Sequence, residues 1–141
     1  FGKKSDKKTV VVGGCFDILH LGHIRFLRQA KKLGEILIVL LENDEKIKKM
    51  KGETRPINTQ IVRAEVLSAL GDVNFIILLP KDMENKDYDL LISQIKPDYI
   101  AVTKGDSGLE NKKRSAKIIN AKVIEVVSLV EGYSTNKIIK L

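Results

Sequence analysis

The stretch TVVVGGCFDILHLGH, residues 9–23, decides how the rest of this chain is read. Thr9 to Val12 is a β-branched apolar run of strand length, and it reads as a buried first strand. Gly13 and Gly14 follow it, and His20-Leu21-Gly22-His23 opens a segment in which Ile24, Leu27 and Ala30, with Phe26 and Leu33, recur at helical period. Gly34 reads as the C-terminal stop of that helix. Strand, glycine turn and helix N-terminus in this order form an anion-binding arrangement. Backbone N–H groups and the positive end of the helix dipole face the ligand, and glycine lets the backbone come close.

Working outward, apolar runs alternate with segments of helical period. Ile36 to Leu41, Phe75 to Leu79, Tyr99 to Thr103 and Val123 to Val127 read as further strands. Thr59 to Leu70, Asp87 to Ile95 and Leu109 to Ile119 read as helices, with Pro97 ending the second of these and a last short helix from Ser134 to Leu141. The expected class is α/β, a single Rossmann-like domain whose five-stranded parallel sheet has helices on both faces. The chain's 141 residues suit one domain, taken as residues 9–141. Residues 1–8 are polar and basic, without the apolar core of a signal peptide or anchor, and are set outside the fold as disordered. In open α/β sheets ligands bind beyond the carboxyl ends of the strands, which directs attention to the segments after Val12, Leu41, Thr103 and Val127.

Composition narrows the function. Hydrophobic residues make up 43% and charged residues 30%, a globular balance, and no apolar run approaches the ~20 residues of a membrane span. The net charge of +7 favours anionic ligands, but the lysines are spread over Lys3 to Lys8, Lys46 to Lys51 and Lys112 to Lys117, which reads as solvated surface. With three Tyr, four Phe and no Trp there is little to stack bases on, so nucleic acid is not an expected partner. The lone Cys15 fits a reducing, cytoplasmic setting.

His20 and His23 are three residues apart, so both imidazoles lie on one side of a helical turn and can donate to one cluster of phosphate oxygens. That suits in-line nucleotidyl or phosphoryl transfer, which needs reactants positioned and charge neutralised, with no protein nucleophile. A third soft ligand for a metal site is not evident beside the two histidines, which leaves His20, His23 and Asp17 as a minor metal alternative. The turn is neither a Walker loop nor a dinucleotide fingerprint. Cys15 reads as a small residue beside the turn whose backbone N–H matters more than its thiol, and Asp17 as a helix cap. Arg55, ahead of Pro56, falls in an expected mobile loop.

These residues carry a resemblance. Gly14-Cys15-Phe16-Asp17-Ile18-Leu19-His20-Leu21-Gly22-His23 resembles the signature of the HxGH nucleotidyltransferases, the cytidylyltransferase-like superfamily. Three further blocks follow in the family's order: Lys51-Gly52 with Arg55-Pro56-Ile57-Asn58 and Arg63; Lys96-Pro97-Asp98 with Gly105-Asp106; and Glu131-Gly132-Tyr133-Ser134-Thr135. The resemblance implies that His20 and His23 stabilise the α-phosphate, that Lys51 and Arg63 hold phosphates, and that Gly14, Cys15, Phe16, Gly22, Gly105 and Asp106 line the nucleotide. It implies that Ser134 and Thr135 cap a helix beneath the β- and γ-phosphates, that Mg²⁺ escorts the triphosphate, and that such domains pair as homodimers. Within the superfamily the chain is most similar to heptose-1-phosphate adenylyltransferase domains of lipopolysaccharide core biosynthesis. The partners so implied are ATP (or CTP) and a phosphorylated sugar or polyol. Glycerol-3-phosphate cytidylyltransferases, which carry Arg-Thr-Glu-Gly-Ile-Ser-Thr in the last block, and archaeal-type FAD synthetases rank behind. A non-catalytic nucleotide-binding module is the alternative of a different class.

Overall fold

A computed structural model of the chain describes residues 6–127. The elements run β1 (Thr9–Gly14), α1 (Leu21–Lys31), β2 (Ile36–Leu41), α2 (Asp44–Lys51), α3 (Gln60–Ser68), β3 (Phe75–Leu78), α4 (Asn85–Ile95), β4 (Tyr99–Thr103), α5 (Leu109–Ile118) and β5 (Lys122–Val127). The five strands form one parallel sheet in the order β3-β2-β1-β4-β5. The apolar runs thus become strands with the expected bounds to within a residue or two, as helix and strand ends usually vary. The helix expected from Ser134 lies outside the described residues.

Period-2 alternation divides the sheet's side chains between two cores. Val10, Val12, Leu37 and Val39 face Phe26, Leu27 and Ala30 of α1 and Leu67 of α3. Val11, Ile38, Leu40 and Ile100 face Ile92 and Ile95 of α4 and Ala116 of α5. Helices cover both faces, so the central strands are apolar along most of their length.

The sheet opens where its order reverses. β1 pairs with β2 through six residues, up to Gly14 opposite Leu41. With β4 it pairs only at Val10–Tyr99 and Val11–Ile100. Beyond Val11 the two strands part, leaving a crevice at their carboxyl ends, the place at which open α/β sheets bind ligands.

Two local expectations are corrected. The lysine-rich segment after Leu41 is not merely solvated surface. It forms α2, capped by Asn43 Oδ1 accepting from Lys46 N–H at 2.9 Å, with Asp44 and Glu45 in its first turn, Lys48, Lys49 and Lys51 in its last, and Ile47 fully buried. Charges so ordered complement the helix dipole. Gly34 is not a left-handed helix cap either, because α1 ends at Lys31 with Lys32 as its C-cap. Its role is clearance: a Cβ there would lie 2.5 Å from the Lys8 carbonyl, which accepts from Glu35 and Ile36 N–H and ties the α1–β2 turn to the start of β1.

Gly34→Ala is therefore expected to lower stability by about 1–3 kcal/mol, the usual cost of overpacking against backbone. Urea unfolding checks it, as a lower midpoint at unchanged slope.

Candidate active site

The turn after β1 is held from beneath by a buried cation. Arg63 on α3 is 0% exposed, and its guanidinium donates to Cys15 O from Nη1 (2.7 Å), to Asn58 O from Nε (3.0 Å) and to Asp44 Oδ1 from Nη2 (2.6 Å). One side chain thus ties the turn, the loop before α3 and the first residue of α2 together. A phosphate-binding arginine was expected to offer its fork to ligand, whereas here each of its nitrogens bonds a protein acceptor. Asp17, expected as a helix cap, is buried and accepts from Ile57 N–H (2.7 Å) and Asn58 N–H (2.9 Å). The loop carrying Arg55 is consequently pinned, and Arg55 is 8% exposed rather than solvated.

Within the turn, Phe16 adopts a left-handed backbone (φ 46°), a region costly for a bulky residue. Its ring occupies the space beside Gly14, where a Cβ would stand 2.8 Å from a ring carbon. The absent side chain of Gly14 therefore makes room for Phe16, which stacks obliquely on His23 at 5.4 Å between ring centres. Cys15 follows, its thiol pushed above the usual range by burial first, with the charge of Lys51 acting the other way.

The histidines cap α1. His20 is the N-cap and its Nδ1 accepts from Gly22 N–H at 3.1 Å, while His23 Nδ1 accepts from His20 N–H at 3.2 Å. This is a capping box in which imidazoles replace the usual hydroxyl and carboxylate. Because each Nδ1 is an acceptor, the proton of each neutral ring sits on Nε2. The ring centres are 3.9 Å apart. Burial lowers both pKa values, that of His23 to about 4 with help from the charges of His20 and Lys51, so the pair is neutral at physiological pH. Lys51, the last residue of α2, is exposed, and its charge reaches both Cys15 and His23.

On the α4/α5 side of the same turn lies a cavity of about 340 Å³. Gly13, Gly14 and Cys15 form the wall it shares with the histidine side, Val11, Leu40 and Ile100 contribute to an apolar floor, and Glu42, Lys46 and Tyr88 form a polar cluster at its rim. Asp106 also lines it, paired with Lys112 at 2.7 Å, just after Gly105 in a left-handed turn (φ 78°). The structure thus brings Gly14, Cys15 and Asp106 to one cavity and His20, Phe16, Gly22 and His23 to the adjoining helix start. Ser134 and Thr135 lie outside the described residues. Among the described residues no group of three or more His, Cys, Asp or Glu could hold a metal, and no helix is long and apolar enough to cross a membrane.

Sequence reading missed Glu42, Lys46 and Tyr88. Glu42 was within reach of it, being the first residue after β2 in a segment already singled out by position. Tyr88 was not, since only packing of α4 brings it to that strand end.

Comparison with known proteins gives a consistent picture. Residues 11–140 match the cytidylyltransferase-like family. The bifunctional protein HldE of Campylobacter jejuni subsp. doylei is 41% identical over 138 residues, which is 98% of this chain and 28% of that protein. That of Nitratiruptor sp. is 40% identical over 137 residues, again covering 28% of its length. The chain spans little more than a quarter of these relatives. Among solved structures, a lipopolysaccharide core biosynthesis protein from Thermoplasma volcanium superposes with a TM-score of 0.69 at 28% identity, over 91% of this chain and 99% of that one. A pantoate-β-alanine ligase from Francisella tularensis, 18% identical with a TM-score of 0.61, shares the fold.

Two outcomes follow from this geometry. His23 should titrate near pH 4 in its ring-proton NMR signals. Since its unfolded value is about 6.5, its contribution to stability is full above about 6.5, declines as pH falls, and is gone below about 4. His23→Gln should flatten that part of the pH–stability curve. Arg63→Met should cost about 2–4 kcal/mol, because two buried carbonyls lose their donors while the half-exposed Asp44 is rehydrated; chemical denaturation measures it, and a loss under 1 kcal/mol would contradict the clamp.

Proposed function

The chain belongs to the cytidylyltransferase-like family of nucleotidyltransferases, and from that premise we propose that it transfers the adenylyl group of ATP to a phosphorylated sugar of the heptose 1-phosphate kind, releasing pyrophosphate. The observation that carries the reading is the pair of neutral, Nε2-protonated imidazoles at the start of α1, next to a glycine turn and an open cavity. A phosphate oxygen of the acceptor attacks the α-phosphorus of ATP. The new P–O bond forms as the bond to the β-phosphate's bridging oxygen breaks, and pyrophosphate leaves with that electron pair. Imidazole N–H donors and the helix N-terminus stabilise charge on the α-phosphate oxygens as it builds. Lys51, exposed at the end of α2, supplies a positive charge to the same place.

On this reading Arg63 is a positioning residue that acts through the turn it clamps. Mg²⁺ would come with ATP as part of the substrate and offset the charge of its phosphates. The carboxylate of Asp17 holds the loop before α3, each oxygen accepting one backbone N–H group. ATP is preferred to CTP on the resemblance to heptose-1-phosphate adenylyltransferase domains, and the name of the Thermoplasma volcanium protein supports a role in lipopolysaccharide core biosynthesis.

Pyrophosphate release, crossing ATP and CTP with heptose 1-phosphate, glycerol 3-phosphate and FMN in the presence of Mg²⁺, tests the proposal. ATP with heptose 1-phosphate should be the productive pair. His20→Ala and His23→Ala should each lower kcat by about 10²- to 10³-fold, the usual loss of a transition-state donor, with modest change in ATP affinity. Equal losses in rate and ATP binding would mean that the histidines serve the ground state.

A further inference from the structure

The cluster at the cavity rim has a composition that nucleotidyl transfer itself does not require. Tyr88 OH accepts from Lys46 Nζ at 2.7 Å and donates to Glu42, whose Oε2 is 3.1 Å away. Lys46 Nζ also lies 3.2 Å from Glu42 Oε2 and 4.6 Å from the centre of the Tyr88 ring. Asn43 braces the group: its backbone N–H and its side-chain amide both donate to Glu42 Oε1, at 3.3 and 3.2 Å, and the amide also donates to Pro80 O at 3.1 Å. One carboxylate and one ammonium cancel, so the cluster is a poor phosphate site. It is instead a fixed set of donors and acceptors beside an apolar floor, the composition that binds a sugar, whose hydroxyls need both kinds of partner and whose C–H faces need neither.

Its connection to the reacting end is direct. Glu42 N–H donates to Gly14 O at 3.0 Å, extending the β1–β2 ladder by one bond. The cluster and the turn are therefore joined through the backbone, and both line the same cavity. The Asp106–Lys112 pair lines the cavity too, but no such bond joins it to the turn among the described residues.

We propose that Glu42, Lys46 and Tyr88 determine acceptor specificity by binding the non-reacting hydroxyls of a polyhydroxylated sugar phosphate whose phosphate lies at the Gly13–Cys15 turn. The proposal rests on the nucleotidyl-transfer reading for what happens at the turn, but the binding it describes can be measured without turnover. It selects against acceptors too short to reach from the turn to the rim, because such acceptors gain none of the cluster's hydrogen bonds.

The experiment is calorimetric titration of the purified protein with heptose 1-phosphate, glycerol 3-phosphate and ATP, for the unaltered chain, Tyr88→Phe and Lys46→Met, together with acceptor KM values. Tyr88→Phe keeps the ring and its packing, and Lys46→Met keeps the length of the stem. Each should weaken heptose 1-phosphate at least about tenfold, the equivalent of one lost hydrogen bond, leave ATP within about twofold, and narrow the preference over glycerol 3-phosphate. If the unaltered chain binds heptose 1-phosphate in this Tyr88-dependent way yet releases no pyrophosphate, the cluster stands and nucleotidyl transfer falls. If turnover proceeds with acceptor KM unchanged in both variants, transfer stands and the cluster is overturned. Failure of the unaltered chain to bind heptose 1-phosphate, or equal losses for heptose 1-phosphate, glycerol 3-phosphate and ATP, also overturns it.

Discussion

The guanidinium of Arg63 is the constraint on which the site is built. A fully buried cation is tolerated only when its desolvation is offset by close acceptors, and here Cys15 O, Asn58 O and Asp44 Oδ1 supply them at 2.6–3.0 Å. Those acceptors come from three separate segments, so satisfying one side chain fixes three pieces of backbone. With Cys15 fixed, Phe16 is held in a left-handed conformation it would not choose, its ring fills the space left by Gly14, and His23 packs against that ring. Strain at Phe16 persists because the clamp on one side and the aromatic contact on the other over-determine it.

The same turn has two working sides. Toward α1 it meets a helix N-terminus capped by imidazoles, a choice with an electrostatic consequence. A hydroxyl or carboxylate cap would turn acceptors toward an incoming anion, whereas these rings spend Nδ1 on the backbone and keep their N–H on Nε2. Burial lowers both pKa values and keeps the rings neutral, while the positive charge of Lys51, exposed at the end of α2, reaches His23. Toward α4 and α5 the turn walls a cavity that is apolar below and polar at its rim. Glu42 N–H joins that rim to Gly14, so a single rigid strand end serves both sides.

The chain's excess positive charge plays little part in this geometry. Most of it is dispersed over helix surfaces, as at the end of α2, where lysines complement the helix dipole. What distinguishes the site is the ordering of polar groups around an apolar core. The buried or half-buried Asp17, Asn43, Arg63 and Gln60 all bond backbone; Gln60, for example, donates to both Leu41 O and Leu79 O at the ends of β2 and β3. Strand ends that would otherwise fray are sealed, and the loops above them are held in place.

The sequence by itself determined the layer architecture, because β-branched runs such as Thr9 to Val12 and Ile36 to Leu41 can be buried on both faces only in a parallel sheet, and because a local pattern of strand, glycines and His-x-Gly-His needs no distant contact to be recognised. The histidines could be named for the same reason, since their spacing of three is a property of one helical turn. What tertiary structure alone decided was the use of residues whose partners are remote in sequence. Arg63 reads locally as one more helix cation and becomes a buried clamp only when Cys15 and Asp44 arrive from other elements. Asp17 reads as a cap and becomes the anchor of a loop forty residues away. Tyr88 carries no local signal of its role and meets Glu42 only because α4 packs on that face of the sheet. Periodicity and local chemistry are written along the chain, whereas the acceptor that satisfies a buried donor is supplied by the fold.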